Sequence, residues 1–292
     1  MARIGREVLG SIVDAEIAVI KDFETEWVFD HQFLTSEAGV GDAYTSLFQA
    51  ASDLRFNIDF VGPAADLSRY RVVFAPQLVL MDPELAARLR AFVEAGGVLV
   101  MSAHSALKDR DNAMLAGAPP GELRALFGVE VASFQTYQPP SSGQNAARFT
   151  EGGAAAIRVF AEALAPQTAR AIAHWQQDHL AGEPAATERQ AGRGKAVYYG
   201  SLFNADSARL LMKRYADEQG VRPLLTGLPA VVEVTRRRTP DTEFYFLLNH
   251  GADAVSTPIG GGFVDVLTGS TPADTLRLDA FGYRVLKRPR QP

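Results

Sequence analysis

The chain has 292 residues, an apolar content of 47% and a net charge of −5 from 29 basic and 34 acidic side chains. This length suits two domains with a sizeable core. The small acidic excess argues against nucleic-acid binding, because no surplus of positive charge is present to neutralise phosphates. The chain has no cysteine, which excludes disulfides, thiolate metal sites and a cysteine nucleophile.

The N-terminal stretch MARIGREVLGSIVDAE carries charges throughout, whereas a signal peptide has a long apolar region near its start. No part of the sequence approaches the run of about 20 apolar residues that a membrane-spanning helix needs. We therefore predict a cytoplasmic protein without a membrane segment, and the absence of cysteine fits that compartment.

Strand-like and helix-like segments alternate through the first part of the chain. The predicted strands are residues 15–20, 57–62, 70–76 and 97–102, and the predicted helices are residues 41–56 and 82–97. The second helix has clear boundaries, because Asp82 is a good N-cap, Pro83 suits the first helical position and a Gly-Gly pair ends it. Such alternation is typical of an α/β fold with a mainly parallel, doubly wound sheet and helices on both faces.

The middle of the chain is less regular. Residues 134–153 are rich in Pro, Gly, Ser and Gln, which predicts a long loop or insertion. The α/β pattern then resumes, and we predict a helix, two strands and a second helix, at residues 153–164, 169–175, 194–201 and 205–220.

The pattern changes near residue 227. Short alternating runs such as 231–238 and 243–250 follow one another with turns between them, which predicts a small antiparallel β-sandwich or barrel. We therefore divide the chain into an α/β domain, 1–226, and a small all-β domain, 227–292. The three arginines at 236–238 are interpreted as protection of an exposed strand edge.

Acidic and aromatic residues follow the first predicted strand. Asp22, Glu24 and Trp27 come just after it, with His31 a little further on. Ligands of open α/β sheets bind beyond the carboxyl ends of strands, so this predicted loop is a candidate site. The alternative, a solvated or interface loop, is the commoner use of such residues. An acid/base pair is disfavoured, because no apolar neighbours are present to raise the pKa of one carboxyl.

Other polar clusters give weaker signals. Ser102, His104 and Ser105 follow a strand, but no glycines flank them as a nucleophile elbow requires. His174 and His179 are five residues apart and do not share a helical face. The segment GRGK, 192–195, leads into a strand and not into a helix N-terminus, which disfavours a phosphate site. We therefore predict no catalytic residue, no metal site and no cofactor.

Several spaced segments resemble glycoside hydrolase family 42 β-galactosidases. The stretch VDAEIAVIKDFETEWVF fits the form D-[YFW]-[DE]-x-x-W at the start of their second domain, with Asp22, Phe23, Glu24 and Trp27 in the matching positions. The segments LRAFVEAGGVLVMSAHSALKDRDN and PPGELRALFGVEV continue the similarity, and VEVTRRRTPDTEFYFLLNH resembles the small β-domain of the family. The resemblance extends in order from Val13 to Leu286.

The resemblance implies a fold and a function. The second domain of the family is similar to class I glutamine amidotransferase and flavodoxin-like folds, and it mediates trimer assembly. Amidotransferase chemistry needs a cysteine nucleophile, which this chain lacks. The resemblance also implies that the segment around Trp27 packs on a neighbouring subunit near an active-site mouth, where the indole could form an apolar platform for a sugar.

The catalytic barrel of the family has no counterpart here, because a (β/α)₈ barrel needs about 250 residues and the resemblance begins at Val13. We expect a non-catalytic trimerisation domain with its C-terminal β-domain, inactive alone as a β-galactosidase and self-associating as a homotrimer. Two alternatives stay open. The chain could form a split β-galactosidase with a separate barrel, or it could be a stand-alone sugar- or metabolite-binding module.

Overall fold

The computed structural model describes residues 2–32, 39–137, 145–157 and 159–290. Its helices are α1 (Ala2–Val8), α2 (Phe23–His31), α3 (Val40–Leu54), α4 (Pro83–Glu94), α5 (Arg124–Phe127) and α6 (Ala205–Glu218). Its strands are β1 (Ile12–Val13), β2 (Ile17–Ile20), β3 (Ile58–Val61), β4 (Val72–Ala75), β5 (Val98–Ser102), β6 (Val129–Thr136), β7 (Ala146–Phe149), β8 (Ala154–Ala156), β9 (Phe160–Pro166), β10 (Arg170–Trp175), β11 (Pro184–Ala191), β12 (Gly194–Tyr199), β13 (Val232–Arg238), β14 (Thr242–Asn249), β15 (Val255–Pro258), β16 (Val264–Asp265), β17 (Thr275–Leu278) and β18 (Tyr283–Pro289).

The chain divides into two compact units. The larger, which we call the α/β unit, comprises Ile17–Ala50 and Phe60–Gly220. The smaller, which we call the β unit, comprises Met1–Glu16, Ala51–Asp59 and Val221–Pro292. No helix among the described residues is both long enough and apolar enough to cross a membrane.

Within the described residues, nine strands form one mixed sheet in the order β3-β2-β4-β5-β12-β11-β10-β7-β8. β2, β4, β5 and β12 pair in parallel, and β11, β10, β7 and β8 extend the sheet antiparallel. The prediction of a mainly parallel sheet therefore holds for one half only. The change of direction occurs at the β11–β12 hairpin, where Gly192 has a φ of 58°, a conformation that favours glycine.

The helices of the α/β unit follow their local signals. The Asp82 side chain caps α4 by accepting a hydrogen bond from the Leu85 backbone N–H, and Pro83 occupies the first turn. Asn204 and Ser207 form a capping box at the start of α6. Both helices bury one apolar stripe, and the predicted helices at 82–97 and 205–220 are confirmed. Gly97 after α4 has no room for a side chain, because a Cβ would lie 2.2 Å from the Phe92 ring.

One prediction for the middle of the chain is wrong, and a second is wrong in part. Residues 153–164, expected as a helix, contain β8 and the start of β9. Alanine favours helices, but β9 pairs antiparallel with β6 from Val129↔Pro166 to Thr136↔Phe160, and this tertiary pairing overrides the local preference. The region 134–153, expected as a long loop or insertion, is not a continuous loop, because it includes the end of β6 and all of β7. Its residues 138–144 lie outside the described residues.

The β unit is antiparallel, as predicted. A sheet of five strands, counted over the described residues, has the order β1-β13-β14-β18-β16, and β15 pairs with β17. Its core includes Val234, Tyr245, Leu247, Phe263 and Leu286. The interpretation of the arginines 236–238 as edge protection is wrong, because β13 lies between β1 and β14. The side chains of these arginines instead contact Ser11 and Asp14, which flank β1.

Candidate functional site

The acidic segment after β2 is a helix, and not the predicted loop. Asp22 has an extended backbone and caps α2, since its Oδ1 accepts a hydrogen bond from the Glu24 backbone N–H at 3.2 Å. Its Oδ2 accepts another from the Thr25 hydroxyl at 3.2 Å. This N-cap use is a common role for aspartate at a helix start, and it leaves the Asp22 side chain nearly buried.

Arg110 connects the starts of two helices. Its Nη1 lies 2.9 Å from Asp22 Oδ2 and 3.0 Å from Glu24 Oε2, and its Nε lies 2.9 Å from Asp82 Oδ2. The hydrogen bond from the Leu85 N–H lowers the pKa of Asp82, and Arg110 adds to that effect. The two acids Asp22 and Glu24 therefore bind one guanidinium between them, an arrangement suited to holding α2 in place rather than to proton transfer.

Exposed aromatic rings line a cleft beside this ion cluster. The open cleft has a volume of about 650 Å³, and Phe23, Trp27 and Phe60 contribute to its walls. Their exposed fractions are 57%, 61% and 40%, which is high for large apolar side chains. We call these three residues the aromatic patch. The sequence prediction included Trp27 but missed Phe60, which lies on β3 and joins the patch only in the folded chain.

Charged groups surround the aromatic patch. The Lys21 ammonium lies 4.8 Å from the centre of the Phe23 ring and 3.3 Å from Glu26 Oε1. Arg110 lies on the cleft wall. An apolar centre with a polar rim suits a contact with a protein surface or with the apolar face of a sugar. His31 lies at the end of α2, where its Nδ1 is 2.7 Å from the Trp27 carbonyl oxygen.

The segment after β5 contains a strained turn that the sequence analysis did not expect. His104 has a φ of 63°, although no glycine flanks it. The two serines are used structurally, since Ser102 Oγ accepts from the Gln77 N–H at 2.8 Å and Ser105 Oγ accepts from the Leu78 N–H at 3.0 Å. Both serine side chains are fully buried, so this turn does not present a nucleophile.

The His104 ring is held in an apolar setting. It lies edge-on to Phe29 at 5.7 Å and to Phe160 at 5.6 Å between ring centroids. Burial lowers the pKa of His104 to about 4, and the nearby Lys108 ammonium contributes to the same shift. The imidazole is therefore neutral near pH 7, and its surroundings suit packing.

Glu162 is a buried acid that the sequence analysis missed. Its Oε1 accepts a hydrogen bond from the His104 backbone N–H at 3.0 Å. Burial raises the pKa of Glu162 to about 7, against the opposing effects of that N–H and of the Tyr198 hydroxyl. A single acid in the apolar run VFAEAL was the available signal, but the sequence analysis predicted only a helix there and did not single out this residue.

The remaining sequence candidates do not converge on a site. His174 lies on β10, whereas His179 lies in a short 3₁₀ turn with its Nδ1 3.6 Å from Asp178. Lys195 forms an ion pair with Glu218 at 2.6 Å, and GRGK is the β11–β12 turn. In the parts of the chain that the structure describes, no group of three histidine or acidic side chains is placed to hold a metal ion.

Two family models match the chain. The β-galactosidase trimerisation domain matches residues 15–222, and the β-galactosidase C-terminal domain matches residues 231–288. The aromatic patch and the ion cluster at Arg110 both lie in the first match.

Individual relatives agree with these matches. The β-galactosidase LacZ of Heyndrickxia coagulans is 30% identical over 285 residues, which are 96% of this chain and 42% of the relative. The β-galactosidase BglY of Alicyclobacillus acidocaldarius is 30% identical over 288 residues, with the same coverage of 96% and 42%. A crystal structure of the β-galactosidase from Bacillus circulans sp. alkalophilus has a TM-score of 0.93 at 26% identity, and covers 98% of this chain and 43% of that one. The chain thus spans about 42% of the length of these curated relatives.

Proposed function

We propose that this chain assembles as a homotrimer. The chain belongs to the family 42 β-galactosidases, of which it contains the trimerisation and C-terminal domains. The observation that carries the proposal is the family match over residues 15–222. A match to a trimerisation domain supports self-association, and three copies with cyclic symmetry are the specific form we propose. In such a ring, one surface of each subunit meets a different surface of the next.

The aromatic patch is our candidate for one of these two surfaces. Phe23 and Trp27 on α2 and Phe60 on β3 are exposed and line the same cleft. Tryptophan and other large aromatic side chains often dominate the energy of protein contacts. Asp22 and Glu24 take the supporting role, because their ion pairs with Arg110 fix the start of the helix that carries Trp27.

Light scattering coupled to size exclusion, over a range of concentrations, tests the assembly. We expect a mass near three times the 31.5 kDa of one chain, in an equilibrium that depends on concentration. A mass that stays at that of one chain at high concentration would reject self-association, and a stable dimer would reject the trimer.

Substitution of the patch tests the surface. Trp27→Ala should shift the equilibrium towards the single chain by about tenfold or more in the association constant, as expected of a central aromatic contact. The matched control is Tyr283→Ala, because Tyr283 is an aromatic residue of similar exposure, 54%, on β18. Equal effects of the two substitutions would show that the aromatic patch is not part of the interface, and would not contradict the trimer itself.

The hydrolytic activity belongs, in this proposal, to the complete enzyme. The curated relatives are β-galactosidases, and the chain spans about 42% of their length. We propose that the complete enzyme hydrolyses terminal β-D-galactosides and that the chain alone does not. Turnover of an aryl β-galactoside by the purified chain would contradict this. Turnover that appears only when a separate barrel protein is added would favour the split enzyme.

Sugar binding at the aromatic patch is a second candidate function. The cleft of about 650 Å³ with three exposed rings favours it, because sugar rings stack on aromatic side chains through their apolar faces. Ligand-induced stabilisation measures it directly. We expect galactose to raise the melting temperature of the chain but not that of Trp27→Ala. If galactose does not change the melting temperature of either protein, sugar binding is rejected and the interface is the role proposed for the patch.

Three finer predictions stay proposals. The boundary between domains 1–226 and 227–292 is supported by the antiparallel pairing of the strands from Val232 onward, whereas the compact β unit also includes residues 1–16, 51–59 and 221–226. The flavodoxin-like and amidotransferase-like relationship is supported by the parallel pairing of β2, β4, β5 and β12. A cytoplasmic location rests on the sequence alone.

A further inference from the structure

The first residues of the chain lie in the β unit. Residues 4–14, which we call the N-terminal strap, comprise most of α1 and all of β1. They cluster with Val221–Pro292, whereas the next strand, β2, begins the α/β unit at Ile17. The strap lies before both family matches, which begin at residues 15 and 231.

The backbone of the strap completes a sheet. β1 pairs antiparallel with β13, with Ile12 opposite Arg238 and Val13 opposite Arg237. The other edge of β13 is taken by β14. The strap therefore adds the outermost strand of the five-stranded sheet, which is how an extended peptide binds a protein by β-augmentation.

All three arginines of β13 bind the strap. Asp14 Oδ2 lies 2.6 Å from Arg236 Nη2, and Asp14 Oδ1 lies 2.6 Å from Arg238 Nε. Between them in sequence, Arg237 donates from Nε to Ser11 Oγ at 2.9 Å and from Nη2 to the Ser11 carbonyl at 2.6 Å. Hydrogen bonds and ion pairs of guanidinium groups are among the stronger polar contacts in proteins, and here they select an acidic, extended segment.

The helix of the strap covers an apolar surface of the same sheet. Ile4 and Val8 pack against the buried cluster of Phe244, Val266 and Val285. Lys287 on β18 adds an ion pair to Glu7 of the strap at 2.7 Å. The strap thus contributes a hydrophobic contact besides its charges.

The buried side-chain amide of Asn57 forms hydrogen bonds with both the strap and β13. Asn57 is 7% exposed, and its Nδ2 donates to the Asp14 carbonyl at 3.1 Å and to the Arg236 carbonyl at 2.7 Å. Its Oδ1 accepts from the Arg236 backbone N–H at 3.1 Å. The polar end of the strap therefore binds the sheet through backbone, side-chain and amide contacts together.

We propose that β13 and the neighbouring apolar surface of β14 and β18 form a peptide-binding site whose occupant is the N-terminal strap of the same chain. The kind of ligand that fits this site is a short amphipathic helix followed by an extended segment whose last residue has an acidic side chain, as Asp14 does. The strap then loses its binding site whenever β13–β18 unfold, and the minimal C-terminal domain includes residues that precede the trimerisation domain. This proposal is independent of the trimer.

Hydrogen exchange on the full chain, read by mass spectrometry, tests the assignment with two matched substitutions. Val234→Ala removes a core side chain of the β unit that is 3% exposed, and Val100→Ala removes one of the α/β unit that is 0% exposed. We expect Val234→Ala to accelerate exchange at residues 12–14 about tenfold together with β13, because unfolding of β13 removes the site that holds the strap. Val100→Ala should leave the exchange rates of residues 12–14 within about twofold of those in the unmodified chain.

The opposite pattern, or equal acceleration by both variants, would overturn the assignment. Recognition of the charge is tested separately by Asp14→Asn, with Asp30→Asn at an exposed position of α2 as the control. Asp14→Asn should accelerate exchange in the strap about tenfold and leave β14 nearly unchanged, because a sheet that loses a bound edge peptide stays folded. Unchanged exchange in the strap of Asp14→Asn would reject the role of the arginines.

Discussion

Two turns of the α/β unit follow parallel strands and differ in almost every other respect. The turn after β2 leads through Asp22 into α2 and exposes Trp27 and Phe23 beside an open cleft. The turn after β5 places His104 at a φ of 63° among buried groups. The carboxyl end of a parallel sheet is a general location for binding sites, but here only one of the two turns presents a surface. The other is occupied by Glu162, whose carboxylate accepts the His104 N–H.

The two turns are expected to affect different properties, the buried turn the stability of the fold and the exposed turn self-association. Changes at the buried turn should lower the free energy of unfolding and leave self-association unchanged. Changes on the exposed surface of α2 should do the reverse, and Arg110, which supports that helix, should affect stability to an intermediate degree.

The largest effect is expected for His104→Ala. The substitution removes a ring packed between Phe29 and Phe160 and keeps the strained φ, so we expect a loss of about 3–4 kcal/mol, as for other buried large-to-small changes. Urea unfolding measures it, with His31→Ala at the exposed end of α2 as the control. The oligomeric mass should not change. A loss below about 1 kcal/mol would show that the turn is not held by this packing.

Glu162 should make stability depend on pH. Its folded pKa, about 7, lies above the ordinary value of 4.5, so the folded chain binds this proton more tightly than the unfolded chain. Its contribution is fully present below about pH 4.5 and is lost as the pH rises through about 7, by up to about 3 kcal/mol.

Unfolding free energies of the chain and of Glu162→Gln, measured from pH 5 to pH 8, test this dependence. The amide cannot ionise, so the variant should lose this part of the pH dependence, whereas Glu183→Gln at an exposed position should keep it. A variant with the same pH profile as the unmodified chain would contradict a raised pKa at Glu162.

Arg110→Ala should cost about 2 kcal/mol. The substitution leaves the nearly buried Asp22 without its guanidinium partner and also releases Asp82, and an uncompensated, partly buried charge is destabilising. Arg209→Ala, at an exposed position on α6, is the control and should change stability by less than about 0.5 kcal/mol. Thermal unfolding compares the two, and equal small changes would mean that Arg110 does not support α2.

The smallest effect on stability is expected for Trp27→Ala. The side chain is 61% exposed, and exposed substitutions usually stay within about 0.5 kcal/mol. The same variant is expected to weaken association about tenfold. Urea unfolding of the dissociated chain at low concentration measures the stability change alone. A large loss there would mean that Trp27 supports α2 and would undermine its assignment to an interface.

Features that depend on neighbouring residues in the chain could be predicted from the sequence. The buried parallel strands, the cap of α4 at Asp82 and the antiparallel character of the C-terminal region were predictable, because hydrophobic period, capping residues and turns act over a few positions. The family resemblance was also readable from ordered segments, and the family matches confirm it.

The pairing of polar groups from distant parts of the chain depends on the folded structure and could not be predicted. Arg110 lies 88 positions from Asp22, Glu162 lies 58 from His104, and Arg236 lies 222 from Asp14. Residues 153–164 likewise form strands where the sequence predicted a helix, because pairing with β6 outweighs the helix preference of alanine. The free energy of these contacts comes from burial and pairing between distant segments, which a local pattern of residues does not encode.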